Sequence, residues 1–133
     1  MLFSAGKVTA VLDFESLKIS PPITDLANGA LQYSIVGGRP NPLDWPDYLD
    51  QEKLLAFIGG YYEIKKIDKS KLASVIDLMT ETLIAEAVLP IAATGYFGNL
   101  AGADFLKMIL RKCLWIKKHR QSLNDAVMRA VGK

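Results

Sequence analysis

The sequence predicts a mainly α-helical chain with a short N-terminal β-hairpin followed by about five helices. Three observations predict it. Residues Lys7 to Leu12 read Lys-Val-Thr-Ala-Val-Leu, a β-branched apolar run, and a Ser-Ala-Gly-Lys turn separates them from Leu2 and Phe3. Beyond Pro21 and Pro22, apolar residues recur at three- and four-residue intervals, the period of a helix with one buried face. Turn-forming residues cluster between those stretches, above all from Val36 to Asp47, where three prolines and two glycines fall together.

The second strand leads into Asp13-Phe14-Glu15, which sets two carboxylates at the exit of an apolar strand. Two short strands make no stable sheet by themselves. The hairpin must therefore pack on the helices or belong with residues outside this chain.

The first helix is expected to open at Ile23-Thr24-Asp25-Leu26 and run to about Ile35, with Thr24 or Asp25 as its cap. Leu26, Gly29, Ala30 and Tyr33 share one of its faces. A second helix is expected from about Leu49 to Tyr62, weakened by Gly59 and Gly60. Asp68-Lys69-Ser70 introduces the third, in which Leu72, Val75, Ile76, Met79, Leu83 and Ala87 keep helical spacing until Pro90 bends or ends it. Gly95 to Gly102 reads as a connection. Phe105, Leu106, Ile109, Leu110, Cys113 and Ile116 mark a fourth helix with cations at its end, and Ser122 caps a short fifth reaching Val131.

Composition narrows the function. The chain has 133 residues, 50% of them hydrophobic and 23% charged, as one globular domain over 1–133 requires. Sixteen Lys and Arg against 14 Asp and Glu leave a formal net charge of +2, too little for a dedicated nucleic-acid protein. One cysteine and one histidine exclude an intramolecular disulfide and a Cys/His zinc site built by one chain. A cytoplasmic setting is expected. The N-terminus has no secretory pattern, and the most apolar window, Leu83 to Leu100, is broken by Glu86, Pro90, Gly95, Gly98 and Asn99, so no membrane span is expected. A mean hydropathy of +0.18 is high for so small a chain and points to apolar surface covered by a partner.

Few residues carry chemistry. His119 stands among Lys117, Lys118 and Arg120, which suits a solvated helix end better than a catalytic base. Together with Arg111 and Lys112 these cations also offer a nucleic-acid reading. Cys113 falls on the apolar face and reads as a small hydrophobe. The glycines match no phosphate-binding motif. Asp13 and Glu15 remain, as oxygen ligands for a hard cation such as Mg2+ or as acids that cap a turn.

Gly6-Lys7-Val8-Thr9-Ala10-Val11-Leu12-Asp13-Phe14-Glu15, followed by Pro21-Pro22-Ile23-Thr24-Asp25-Leu26-Ala27, resembles the aminoglycoside phosphotransferase family of kinase-like enzymes, whose superfamily includes choline kinases. The match covers about the first thirty residues. It implies that residues 1–15 are the hairpin and metal-Asp segment, and 21–133 the helical distal part of a kinase-like C-terminal lobe. It further implies that Asp13 binds the magnesium ions of ATP, with Glu15 a possible second contact, and that Asp25 is a structural acid bracing the catalytic loop. The acceptor would be a small hydroxyl-bearing molecule. The family's His-x-Asp-x-x-x-x-Asn loop and its nucleotide lobe have no counterpart here, since Met1 falls about one residue after the position of that Asn. No catalytic base is therefore assigned in this chain, and it is expected to be inactive alone, because the chemistry depends on several parts acting together. The alternative is a non-catalytic helical module that self-associates, a homo-oligomer formed through exposed apolar surface.

Overall fold

In a computed structural model, which describes residues 2–11 and 19–132, the chain is mainly helical, with an N-terminal hairpin followed by five helices. Strands β1 (Leu2–Ser4) and β2 (Lys7–Ala10) pair antiparallel around Ala5-Gly6. Both turn residues have positive φ, 49° and 73°, as a two-residue hairpin that follows the strand twist demands. Gly6 adopts that conformation without steric cost. Leu2, Phe3 and Val8 stay exposed, and Phe3 borders a groove with Tyr33, Phe57 and Tyr61. Leu12, Asp13 and Glu15 lie outside the described residues.

Helix α1 (Pro22–Ser34) begins earlier than the cap residues suggested, and neither Thr24 nor Asp25 caps it. Pro22 takes the first position, where its fixed φ suits the helix and its missing N–H costs nothing. Thr24 N donates to Pro21 O at 2.9 Å, closing the first turn through the main chain. The helix ends where Ile35 turns extended and bridges to Leu49, so Leu49 is not helical as expected. The loop that follows contains one 3-10 turn, Pro42–Asp44, capped by Asn41.

Helix α2 (Gln51–Ile64) starts after Asp50, whose carboxylate accepts from Lys53 N at 3.1 Å. The expected third helix is two elements. Asp68 caps the single turn α3 (Lys69–Leu72), and α4 (Val75–Thr94) follows after Ala73 and Ser74. Ser74 Oγ donates to Lys71 O at 2.7 Å, an alternative to the helical ladder that Ser readily takes. Pro90 does not end α4. The helix gives up one backbone hydrogen bond there and continues to Thr94, stopping at Gly95 with φ 79°.

The expected connection after it is a miniature hairpin, β3 (Tyr96–Phe97) with β4 (Leu100–Ala101), turning at Gly98-Asn99. Helix α5 (Gly102–Val131) is then continuous for 30 residues, where two helices were expected. Ser122 caps nothing, and its Oγ donates back to His119 O at 2.9 Å within the helix. The fusion follows from the buried stripe, because Ile116, Leu123, Val127 and Val131 carry the seam through the polar segment between them.

Helix α1 packs on α2 and α4, and α5 runs along both α4 and α2, so the core lies between α1 and α5. Leu26, Ala30, Leu54, Ile58, Met79, Met108 and Val127 are among its fully buried members.

Candidate functional site

Of the three acids singled out in the sequence, only Asp25 falls within the described residues. It sits in the first turn of α1, where the helix dipole favours a negative charge, and accepts a hydrogen bond from Ser20 Oγ. The neighbouring Pro22 carbonyl accepts from Tyr61 Oη at 3.3 Å, which ties the start of α1 to α2. Burial, and then the negative charge of Asp25, push the Tyr61 phenol above its ordinary pKa. Asp25 thus braces the segment entering α1. Among the described residues, no group of three or more His, Cys, Asp and Glu is placed to hold a metal ion. Asp13 and Glu15 lie outside the described residues, so the magnesium and ATP expectation rests on the resemblance alone.

The cations of α5 do something the sequence reading did not anticipate. Lys112 is fully buried, 0% exposed, and its ammonium donates to Val36 O at 3.0 Å and to Pro46 O at 2.5 Å. Burial lowers its pKa to about 8, against a smaller raising influence from Asp47. Arg111 donates from Nη1 to Leu43 O and from Nη2 to Trp45 O, both at 2.9 Å, while its Nε lies 3.1 Å from Asp47 Oδ1. Two consecutive residues of α5 therefore hold both ends of the loop 36–47. This loop is short of regular structure, and its buried carbonyls need donors from elsewhere.

The signal for Lys112 was present in the spacing. Phe105, Ile109, Lys112 and Ile116 follow one another at four, three and four residues, so Lys112 stands on the buried seam. Its charge drew it into the cation cluster instead. Arg111 and Lys112 are unavailable to a phosphate backbone, which removes two of the five cations from the nucleic-acid reading.

The remaining cations also differ from expectation. Residues 117–120 lie inside α5, not at a helix end. His119 stacks on Trp115 with ring centroids 4.3 Å apart, its Nδ1 2.8 Å from Trp115 O. Arg120 forms a two-pronged pair with Asp77 of α4, both N···O distances being 2.6 Å. Those bonds hold the Asp77 carboxyl below its ordinary range. Cys113 is half-buried and burial raises its thiol pKa, which agrees with an unreactive packing residue.

Beside that ion pair, α4 and α5 leave apolar side chains uncovered. Ile84 and Val88 on α4, and Leu106, Leu110 and Leu114 at four-residue steps on α5, are exposed, and Ile84, Cys113 and Leu114 line one shallow groove. Leu106 and Leu110, expected in the core, therefore belong to the surface. Among the described residues, no helix is long and apolar enough to cross a membrane.

No family model matches this chain, and no curated protein or solved structure matches it.

Proposed function

We propose that this chain is the C-terminal helical part of an ATP- and magnesium-dependent small-molecule phosphotransferase of the aminoglycoside phosphotransferase type, inactive by itself. The observation that carries the reading is the motif run from Gly6 to Glu15 and from Pro21 to Ala27. Its local geometry supports it: a tight hairpin precedes Asp13 in the sequence, and Asp25 holds the approach to α1 through Ser20. In this reading Asp13 binds metal, Glu15 assists, and Asp25 is structural. A catalytic base and the phosphate-covering elements come from other parts of the enzyme, as phosphoryl transfer by positioning and charge neutralisation requires.

Translating the DNA upstream of the Met1 codon tests it. An in-frame His-x-Asp-x-x-x-x-Asn is expected, and the longer product should transfer phosphate to a hydroxyl acceptor in a manner lost in Asp13→Asn. A stop codon in place of that loop, or Mg2+-dependent ATP turnover by the 133-residue chain alone, overturns it.

A second reading is favoured by the exposed apolar strip of α4 and α5. In it the chain is a non-catalytic helical module that pairs with its own copy through Leu106, Leu110 and Leu114. A two-fold contact would bury the same strip twice and answer the high mean hydropathy. Sedimentation of the chain distinguishes it, a monomer at all concentrations counting against it.

A further inference from the structure

A separate cleft of about 200 Å³ lies between α1, α4, α5 and the β3–β4 hairpin, away from the Asp25 end of α1. Its walls are apolar, formed by Leu31, Ile35, Leu83, Ala87 and Ile109, with Phe97 and Phe105 at one side. The two phenyl rings stack with centroids 4.0 Å apart and 10° between planes, and Trp45 meets Phe105 edge-on at 5.9 Å. Trp45 comes from the loop 36–47. Its indole N–H donates to Arg39 O at 2.8 Å, and its own carbonyl accepts from Arg111. The wall it supplies is therefore held in place by Arg111 and Lys112, so the cleft is formed before any ligand arrives.

The mouth of the cleft is polar at one point. Gln32 of α1 donates from Nε2 to Glu86 Oε2 of α4 at 2.7 Å, and among the described residues no cation pairs with Glu86. The Gln32 amide fixes the carboxylate at the rim while leaving its other oxygen free to accept. A bare apolar cavity of about 150 Å³ suffices to take up benzene. This cleft adds one negative charge at the opening, and its volume suits a ring or a short branched chain.

The geometry points to a binding site for a small amine, a compact apolar body carrying one ammonium group whose N–H donates to Glu86. The body replaces water against Phe97, Phe105 and Trp45, where apolar contact drives binding. The ammonium adds a charge-assisted hydrogen bond at a partly exposed position, enough for selectivity and too weak to bind alone. The site does not depend on the phosphotransferase reading and stands or falls separately from it.

Benzylammonium is the probe, with benzyl alcohol as its uncharged counterpart, titrated into the 15N-labelled full chain. Saturable shifts are expected at the Phe97, Phe105 and Ile109 amides and at the Trp45 indole N–H, with a Kd of about 1 mM. Benzyl alcohol should bind about threefold to fivefold more weakly. In Glu86→Gln, a change at an exposed position, the two ligands should bind equally while the shifted residues stay the same. No saturation by about 50 mM benzylammonium overturns the proposal. So do shifts centred elsewhere, equal affinity for the alcohol in the wild type, or an ammonium preference that survives in Glu86→Gln.

Discussion

The ammonium of Lys112 donates to the main-chain carbonyl of Pro46, 66 residues earlier in the chain, and the same nitrogen holds Val36 O. One side chain thereby closes both ends of an irregular loop onto the middle of α5. Its burial, with no carboxylate in contact among the described residues, is costly, and main-chain carbonyls offset only part of that cost.

This predicts an unusual alkaline response. The buried amine releases its proton near pH 8, whereas an unfolded lysine keeps it to about 10.5. Between those values the unfolded state binds the extra proton, so raising the pH favours the folded state. The gain is on the order of 3 kcal/mol at most. The raised Cys113 thiol and Tyr61 phenol act in the opposite direction in both proteins, so urea denaturation from pH 7 to 10.5 should show the stability of the wild type relative to Lys112→Met growing with pH. The neutral amine still has two N–H groups for its two carbonyls, so the loop stays attached.

At the acid end the pair between Asp77 and Arg120 has the opposite sign. A carboxyl held below its usual 3.8 contributes stability above that pH and loses it as pH falls through the lowered value. Asp77→Asn should therefore flatten the loss of stability below pH 4 that thermal melts of the wild type show.

Two glycines in helices should respond in opposite directions. A Cβ at Gly29 would run into the Phe57 ring, which stacks on Tyr33 at 4.9 Å, so Gly29→Ala should cost about 1–3 kcal/mol. A Cβ at Gly59 meets nothing within 4 Å. Gly59→Ala should stabilise α2 by about 0.5–1 kcal/mol, because the unfolded chain loses freedom. Chemical denaturation of both variants side by side checks the pair.

Leu110 is 58% exposed at the centre of the strip on α5. If copies of the chain pair there, Leu110→Asp should shift the sedimentation-average mass from dimer to monomer. Its melting temperature at low protein concentration should stay close to that of the wild type, since an exposed change alters the fold by only about 0.5 kcal/mol.

How much of this was legible in sequence differs from element to element. The hairpin turn and the seam Leu72, Val75, Ile76, Met79, Leu83 and Ala87 are readable, because each rests on neighbours within a few residues. On α1 the spacing grouped Tyr33 with Leu26 and Ala30, yet Tyr33 is exposed, and Ala27, Leu31 and Ser34 are buried beside them. The boundaries moved wherever a local signal competed with packing. Pro90 reads as a stop and Ser122 as a start, yet both lie inside long helices whose buried stripes outweigh the local preference. The miniature hairpin at 96–101 was missed because two-residue strands carry no period to detect.

The sequence by itself determined the mainly helical class and the N-terminal hairpin that precedes the helices. Those depend on spacing, turn chemistry and short motifs, which act between residues close in the chain. Only the tertiary structure decided that Lys112 is a buried clamp and not part of a basic surface. It also decided which leucines of α5 face water and that Trp45 walls a cleft beside Glu86. Each of these depends on which distant carbonyl, ring or helix face arrives at the same place, and residue spacing along one helix cannot specify its neighbours.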